Sequence, residues 1–146
     1  VRAEGVATGC DTNASVISNA AGGVKLFWKR SSFDASAFLG AECATRSQLV
    51  VPRTGIYEIT ASLEWPSAAG SATRTLGTKR ANLPYLAADR RANTPNEPTQ
   101  QSIATVAYLN QGERIEVWAY PKSPGDLTLD PTLRTSTVTM HYVARS

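Results

Sequence analysis

One histidine, two cysteines and two carboxylate pairs are the residues of this 146-residue chain whose types and spacing could do chemistry. His141 stands between Met140 and Tyr142 and shares a strand side with Thr139 and Val143. An imidazole becomes a catalytic base when a nucleophile and an orienting carboxylate are within its reach. The chain has no Gly-x-Ser-x-Gly elbow, and neither Cys10 nor Cys43 lies in a nucleophile motif. His141 therefore reads as an ordinary edge or interface residue. With one His and two Cys, a closed four-ligand zinc site of those residue types is excluded, as is a His pair for a catalytic metal. Glu113 and Glu116 have an odd separation, so on a strand they fall on opposite faces. Asp126 and Asp130 lie among Pro124, Gly125 and Pro131, where turn formation is the usual role and calcium binding the rarer one. No Gly-rich phosphate loop is present. Neither a catalytic site nor a cofactor nor a metal is expected.

Contact surfaces are the other chemistry on offer. Trp28, Trp65 and Trp118 could each present an indole face to a sugar. Trp65 belongs to a buried alternation and reads as core. Trp118 is out of phase with Ile115 and Val117, so it faces away from their side and is the candidate for a contact surface. Arg74, Lys79, Arg80, Arg90 and Arg91 form a basic stretch offset only by Asp89. No nucleic-acid motif accompanies it, and arginine is common at protein interfaces. Arg74, Arg80, Arg90 and Arg91 are therefore partner-contact candidates, and nucleic acid is not expected. Asn13-Ala14-Ser15 fits a glycosylation acceptor, a triplet that matters only in a eukaryotic secretory setting. Cys10 and Cys43 are either a disulfide, closing a loop of about 34 residues and contributing roughly 3–4 kcal/mol, or two buried thiols.

The elements that must position these residues are strands. Hydrophobic residues make up 42% and charged residues 18% of the chain, too apolar and too weakly charged for disorder. The polar remainder is Thr, Ser, Asn and Gln rather than the Glu and Lys of exposed helices. At 146 residues one domain is expected. The net charge is +3, with eleven of fifteen basic residues being Arg. No run approaches the roughly 18 apolar residues of a membrane span. The first ten residues lack the pattern of a secretory leader.

Residues 1–23 are small and polar and read as an extended arm, with the domain proper at 24–146. Val24 to Trp28 alternates as a short strand, and 31–44 reads as a loop with one or two short strands. From Ile56 to Trp65 the odd positions Tyr57, Ile59, Ala61, Leu63 and Trp65 alternate with Glu58, Thr60, Ser62 and Glu64. That is a strand with one buried and one polar face. Thr73 to Thr78 is a strand, followed by a basic segment and a Pro-rich loop over 93–98. Ser102 to Leu109 and Arg114 to Tyr120, joined at Asn110-Gln111-Gly112, form a hairpin. Thr137 to Val143 is the last strand. Short strands separated by turn signals predict an all-β sandwich or jelly roll.

Three segments resemble the jelly roll of the tumour necrosis factor and complement 1q superfamily. Val51-Pro52-Arg53-Thr54-Gly55-Ile56-Tyr57 is similar to the family's Pro-x-x-Gly-x-Tyr stretch, in which the Tyr enters the core. Ser102 to Trp118 resembles its paired strands around Leu-x-x-Gly-Asp-x-Val, with Glu113 where Asp is usual. Ser136 to Ala144 ends the chain as the family's last strand does. The Ala-, Thr- and Arg-rich texture, the ending Thr-Met-His-Tyr-Val-Ala and the lack of a collagen-like stalk resemble bacteriophage members more than animal ones. The resemblance implies a ten-stranded, two-sheet antiparallel sandwich assembling as a homotrimer. It places Ser102 to Leu109 near the three-fold axis, with Ala104, Val106 and Tyr108 meeting their copies.

The function so expected is that of a structural virion protein, a trimer that decorates and cements the exterior of a phage head, with the major capsid protein or another virion protein as partner. The alternatives are a tail-fibre tip reading a host-surface glycan and a secreted binding module. No membrane partner is expected.

Overall fold

Twelve strands and no helix occur among the residues that the computed structural model describes, which are 2–7, 16–17, 23–32, 47–67, 73–122, 127–128 and 136–145. Ten of them form two five-stranded antiparallel sheets. The first sheet runs β4 (Phe27–Ser32), β1 (Arg2–Ala7), β12 (Thr137–Ala144), β6 (Gly55–Trp65), β9 (Thr99–Leu109). The second runs β3 (Val24–Lys25), β10 (Arg114–Lys122), β7 (Thr73–Arg80), β8 (Tyr85–Ala92), with β5 (Leu49–Val50) also paired to β10. A small ribbon joins β2 (Val16–Ile17) to β11 (Leu127–Thr128). This is the all-β jelly-roll sandwich predicted from the alternation.

The core lies between the sheets and is built by the in-phase positions. On β6, Tyr57, Ile59, Leu63 and Trp65 are completely buried; Val138 and Met140 of β12 flank them in the same sheet, and Ile115 and Val117 of β10 complete the core from the other. Trp28 is buried too, which removes it as a sugar platform. Tyr57 keeps its polar tip satisfied by donating its hydroxyl to the carbonyl of Arg53 at 2.7 Å. Gly55 starts β6 because nothing larger fits. A Cβ there would stand 2.6 Å from Cε2 of Tyr142 and 2.7 Å from the carbonyl of Ala144. Gly112, at φ 84°, supplies the left-handed residue of the turn that leads from β9 in the first sheet to β10 in the second.

Four expectations are corrected. Ser102 to Leu109 and Arg114 to Tyr120 are not a hairpin: β9 pairs with β6 in the first sheet and β10 with β7 in the second, so the turn at Asn110-Gln111-Gly112 carries the chain from one sheet to the other. The polar segment 1–23 is not wholly an arm. Arg2–Ala7 pairs with β12 on one side and β4 on the other, covering backbone groups of β12 that would otherwise form an open edge. The alternation from Val24 to Trp28 is two strands in two sheets. Val24 and Lys25 pair with β10, the chain crosses at Leu26, and Phe27 onward pairs with β1. The basic segment after Thr78 is largely strand. β7 runs on to Arg80, turns at Asn82 (φ 63°) and returns as β8. Cys10, Cys43, Asp126, Asp130 and the Asn13-Ala14-Ser15 triplet lie outside the described residues.

Candidate functional site

Alternation leaves each sheet with an outer face, and that of the first sheet is open. β9 is its edge strand, and Ala104, Val106 and Tyr108 all point outward. Val106 is 66% and Tyr108 45% exposed, while Ile103 and Leu109 on the opposite side enter the core. The pairing sets Ile56 opposite Tyr108, Glu58 opposite Val106 and Thr60 opposite Ala104. The next strand brings His141 opposite Glu58 and Thr139 opposite Thr60, whose hydroxyls share a short hydrogen bond. Val143, 57% exposed, extends the apolar surface at the bulge of β12, where the register skips between Tyr142 and Ala144. Farther along the strands a shallow depression of about 280 Å³ is lined by Thr60, Ser62, Ser102, Ala104 and Thr137 among others. The face is apolar at one end and hydroxyl-rich at the other, with one exposed carboxylate, Glu58, between. Val143 was legible as the position out of phase with Val138 and Met140, but sequence reasoning did not single it out.

The basic stretch is not one patch, and Arg74 is not a contact residue. Its neighbour Leu76 and Arg74 itself point between the sheets, leaving Arg74 1% exposed. The guanidinium lies 5.7 Å from the Trp65 ring centroid and donates to the carbonyl of Pro66 at 2.7 Å. Burial pushes its pKa down. A lone strand cannot reveal this, because Arg74 occupies an inward position that composition alone would assign to solvent. Beside it, buried Gln101 accepts the Trp65 indole N–H at 2.9 Å and donates to the carbonyl and carboxylate of Asp89 at 2.8 and 3.1 Å. The hydrogen bond from Gln101, with help from Arg91, holds the Asp89 carboxyl below its ordinary value. Arg80 donates to the carbonyl of Tyr108 at 2.7 Å and lies 3.8 Å from Glu113, tying β7 to the end of β9. Arg91 pairs with Asp89, and Arg90 is exposed on the other side of β8.

Trp118 does face outward, on the second sheet, and is half-buried there. Its ring carries the Lys79 ammonium 3.8 Å from the centroid, and its N–H donates to Glu116 at 2.9 Å. Glu116 also accepts from Gln48 at 2.8 Å and Lys25 at 3.4 Å. One indole face is thus capped by its own chain, as a structural cation–π pair rather than an open platform. Among the described residues no group of three or more His, Cys, Asp or Glu side chains could hold a metal ion. The open face of the first sheet thus presents apolar side chains and hydroxyls, with Glu58 and His141 opposite each other between them.

No family model matches the sequence, and no curated protein matches it. Solved structures do. Murine APRIL superposes with a TM-score of 0.58 at 16% identity, covering 97% of this chain and 96% of its own. The globular domain of zebrafish complement 1qA protein gives 0.57 at 12% identity, covering 82% and 84%. Eiger TNF from S. frugiperda gives 0.51 at 17% identity, over 68% of this chain and 66% of its own. The chain therefore has the jelly-roll fold of the tumour necrosis factor and complement 1q domains, as its motifs predicted.

Proposed function

We propose that this chain is a non-enzymatic binding module that assembles as a homotrimer, the open face of the first sheet in each copy meeting its neighbours around a three-fold axis. The observation that carries this reading is the exposed row of Val106, Tyr108 and Val143 on one continuous sheet face. A monomer has no use for such a row, and closed symmetry buries it in every subunit. Covering one Val and one Tyr contributes on the order of 2–3 kcal/mol per subunit before the cost of association. Glu58 and His141, side by side on the face, supply polar groups that set register.

The surface that the trimer attaches to is, in this reading, the exterior of a bacteriophage head, where it cements the major capsid protein. The Ala-, Thr- and Arg-rich composition supports it, and Arg90 and Arg91 on exposed β8 offer contacts away from the trimer face. The competing reading, a fibre tip that binds host-surface glycan through Trp118, is weakened by the Lys79 cap on that indole. The test is to add purified protein to phage heads that lack it and to host cells. Saturable attachment to heads alone is expected. Attachment to cells and not to heads would overturn the virion reading and leave the trimer standing.

A further inference from the structure

At the end of the first sheet, bordering the proposed trimer face and sharing Tyr108 with it, lies a second feature that the reading above does not use. A bowl of about 380 Å³ is lined by Arg53, Thr54, Tyr108, Gln111 and Arg145. Three chain segments build it: the turn before β6, the end of β9 with the turn that follows it, and the residue after β12. The pairing of Ile56 with both Tyr108 and Ala144 fixes how far apart they stand. Arg53 is held in place from both ends. Its carbonyl accepts the Tyr57 hydroxyl at 2.7 Å, and its guanidinium stacks 3.5 Å from the centroid of the Tyr142 ring. Stacking occupies a face of the guanidinium and leaves its N–H edge unspent. Thr54 accepts the Gln111 backbone N–H at 3.0 Å, so its own hydroxyl proton is free to turn into the bowl. No Asp or Glu lines the site. Among the described residues neither Arg53 nor Arg145 has a carboxylate partner, whereas Lys25, Arg80 and Arg91 each do.

We infer that this bowl binds an oxyanion borne by a small molecule, a carboxylate or a phosphate, between the two guanidinium groups, with the Thr54 and Tyr108 hydroxyls on the remainder of the ligand. Two guanidinium groups without a counter-charge favour an anion, and a planar fork matches carboxylate or phosphate in paired hydrogen bonds. The volume suits a monosaccharide-sized ligand rather than a bare ion. All five lining residues come from one chain, with Tyr108 at the border shared with the proposed trimer face.

The experiment titrates the uniformly nitrogen-labelled protein at low salt with N-acetylneuraminate, a sugar carboxylate, with glucose 6-phosphate and with neutral galactose, following backbone amide shifts. Saturable shifts at Thr54, Gln111 and Arg145 are expected with one or both acidic probes, with Kd on the order of 1 mM. Which acidic probe saturates identifies the source of the oxyanion. Arg145→Gln, an exposed position after the last strand, should weaken binding about tenfold with the fold unchanged, a loss of roughly 1.4 kcal/mol. Arg53→Gln should act in the same direction. Saturation by neither acidic probe, equal shifts with galactose, or an Arg145→Gln protein that binds like the parent would each overturn the inference.

Discussion

Glu116 is a carboxylate on the outside of a sheet that is nevertheless 5% exposed, because Gln48, Lys25 and Trp118 close over it. Burial alone raises its pKa, but the hydrogen bonds from Gln48 and Trp118 and the Lys25 charge outweigh it, and the net shift is downward. A carboxyl whose folded pKa is lowered contributes stability above its unfolded value, and this is lost as pH falls through the folded one. The melting temperature should therefore hold from neutrality to about pH 5 and fall below the ordinary glutamate value of about 4.3. Asp89, also shifted down, steepens the same limb. Glu116→Gln places an amide N–H₂ either against the Trp118 N–H or against the Gln48 and Lys25 donors, costing about 1–3 kcal/mol at neutral pH, and should flatten the acid limb. Melting curves between pH 7 and pH 2 check this, and acid limbs of equal slope would contradict it. The sequence marked Glu116 only as the far-side partner of Glu113. Its ligands come from positions 25 and 48, and no local pattern brings those together.

At the scale of elements, the outcome turned on whether a strand has one wet face or two. β6, β9, β10 and β12 were legible as strands because each buries one side against the core and leaves period-two alternation behind. The division of β9 and β10 between two sheets was not, since a short turn with Gly reads the same in a hairpin and in a corner between sheets. β8 was not, since an edge strand with both faces partly in water carries Asp89, Arg90 and Arg91 and no alternation. β1 was not, because its place is decided by the edge it covers. The strand from Val24 to Trp28 was legible as extended chain, but its switch between sheets at Leu26 depends on two partners distant in sequence. The same dependence makes Gly55 the most sensitive turn residue. A methyl group there meets the Tyr142 ring, which can swing aside, and the Ala144 carbonyl, which belongs to a paired strand and cannot. Gly55→Ala should cost about 1–3 kcal/mol, read as a lower urea midpoint with unchanged slope. A midpoint equal to the parent's would show that β12 yields.

For the whole molecule, one sheet face is committed to the core and its reverse is not. The buried face explains the fold and was visible in the sequence as phase. The open face was visible only in part, as Ala104, Val106 and Tyr108, because exposure of an apolar residue follows from the sheet's layering and not from its own strand. Val106 is the sharpest probe of what covers that face. At 66% exposure its side chain adds little to the packing of a single copy, so Val106→Asp leaves the sandwich intact while placing a charge at the proposed trimer contact. The measurement is the mass of the parent and Val106→Asp proteins by light scattering after size-exclusion chromatography. A parent of three times the 15.6 kDa chain mass and a folded Val106→Asp protein at the mass of one chain are predicted. A monomeric parent, or a Val106→Asp protein that remains a trimer, would contradict assembly through this face.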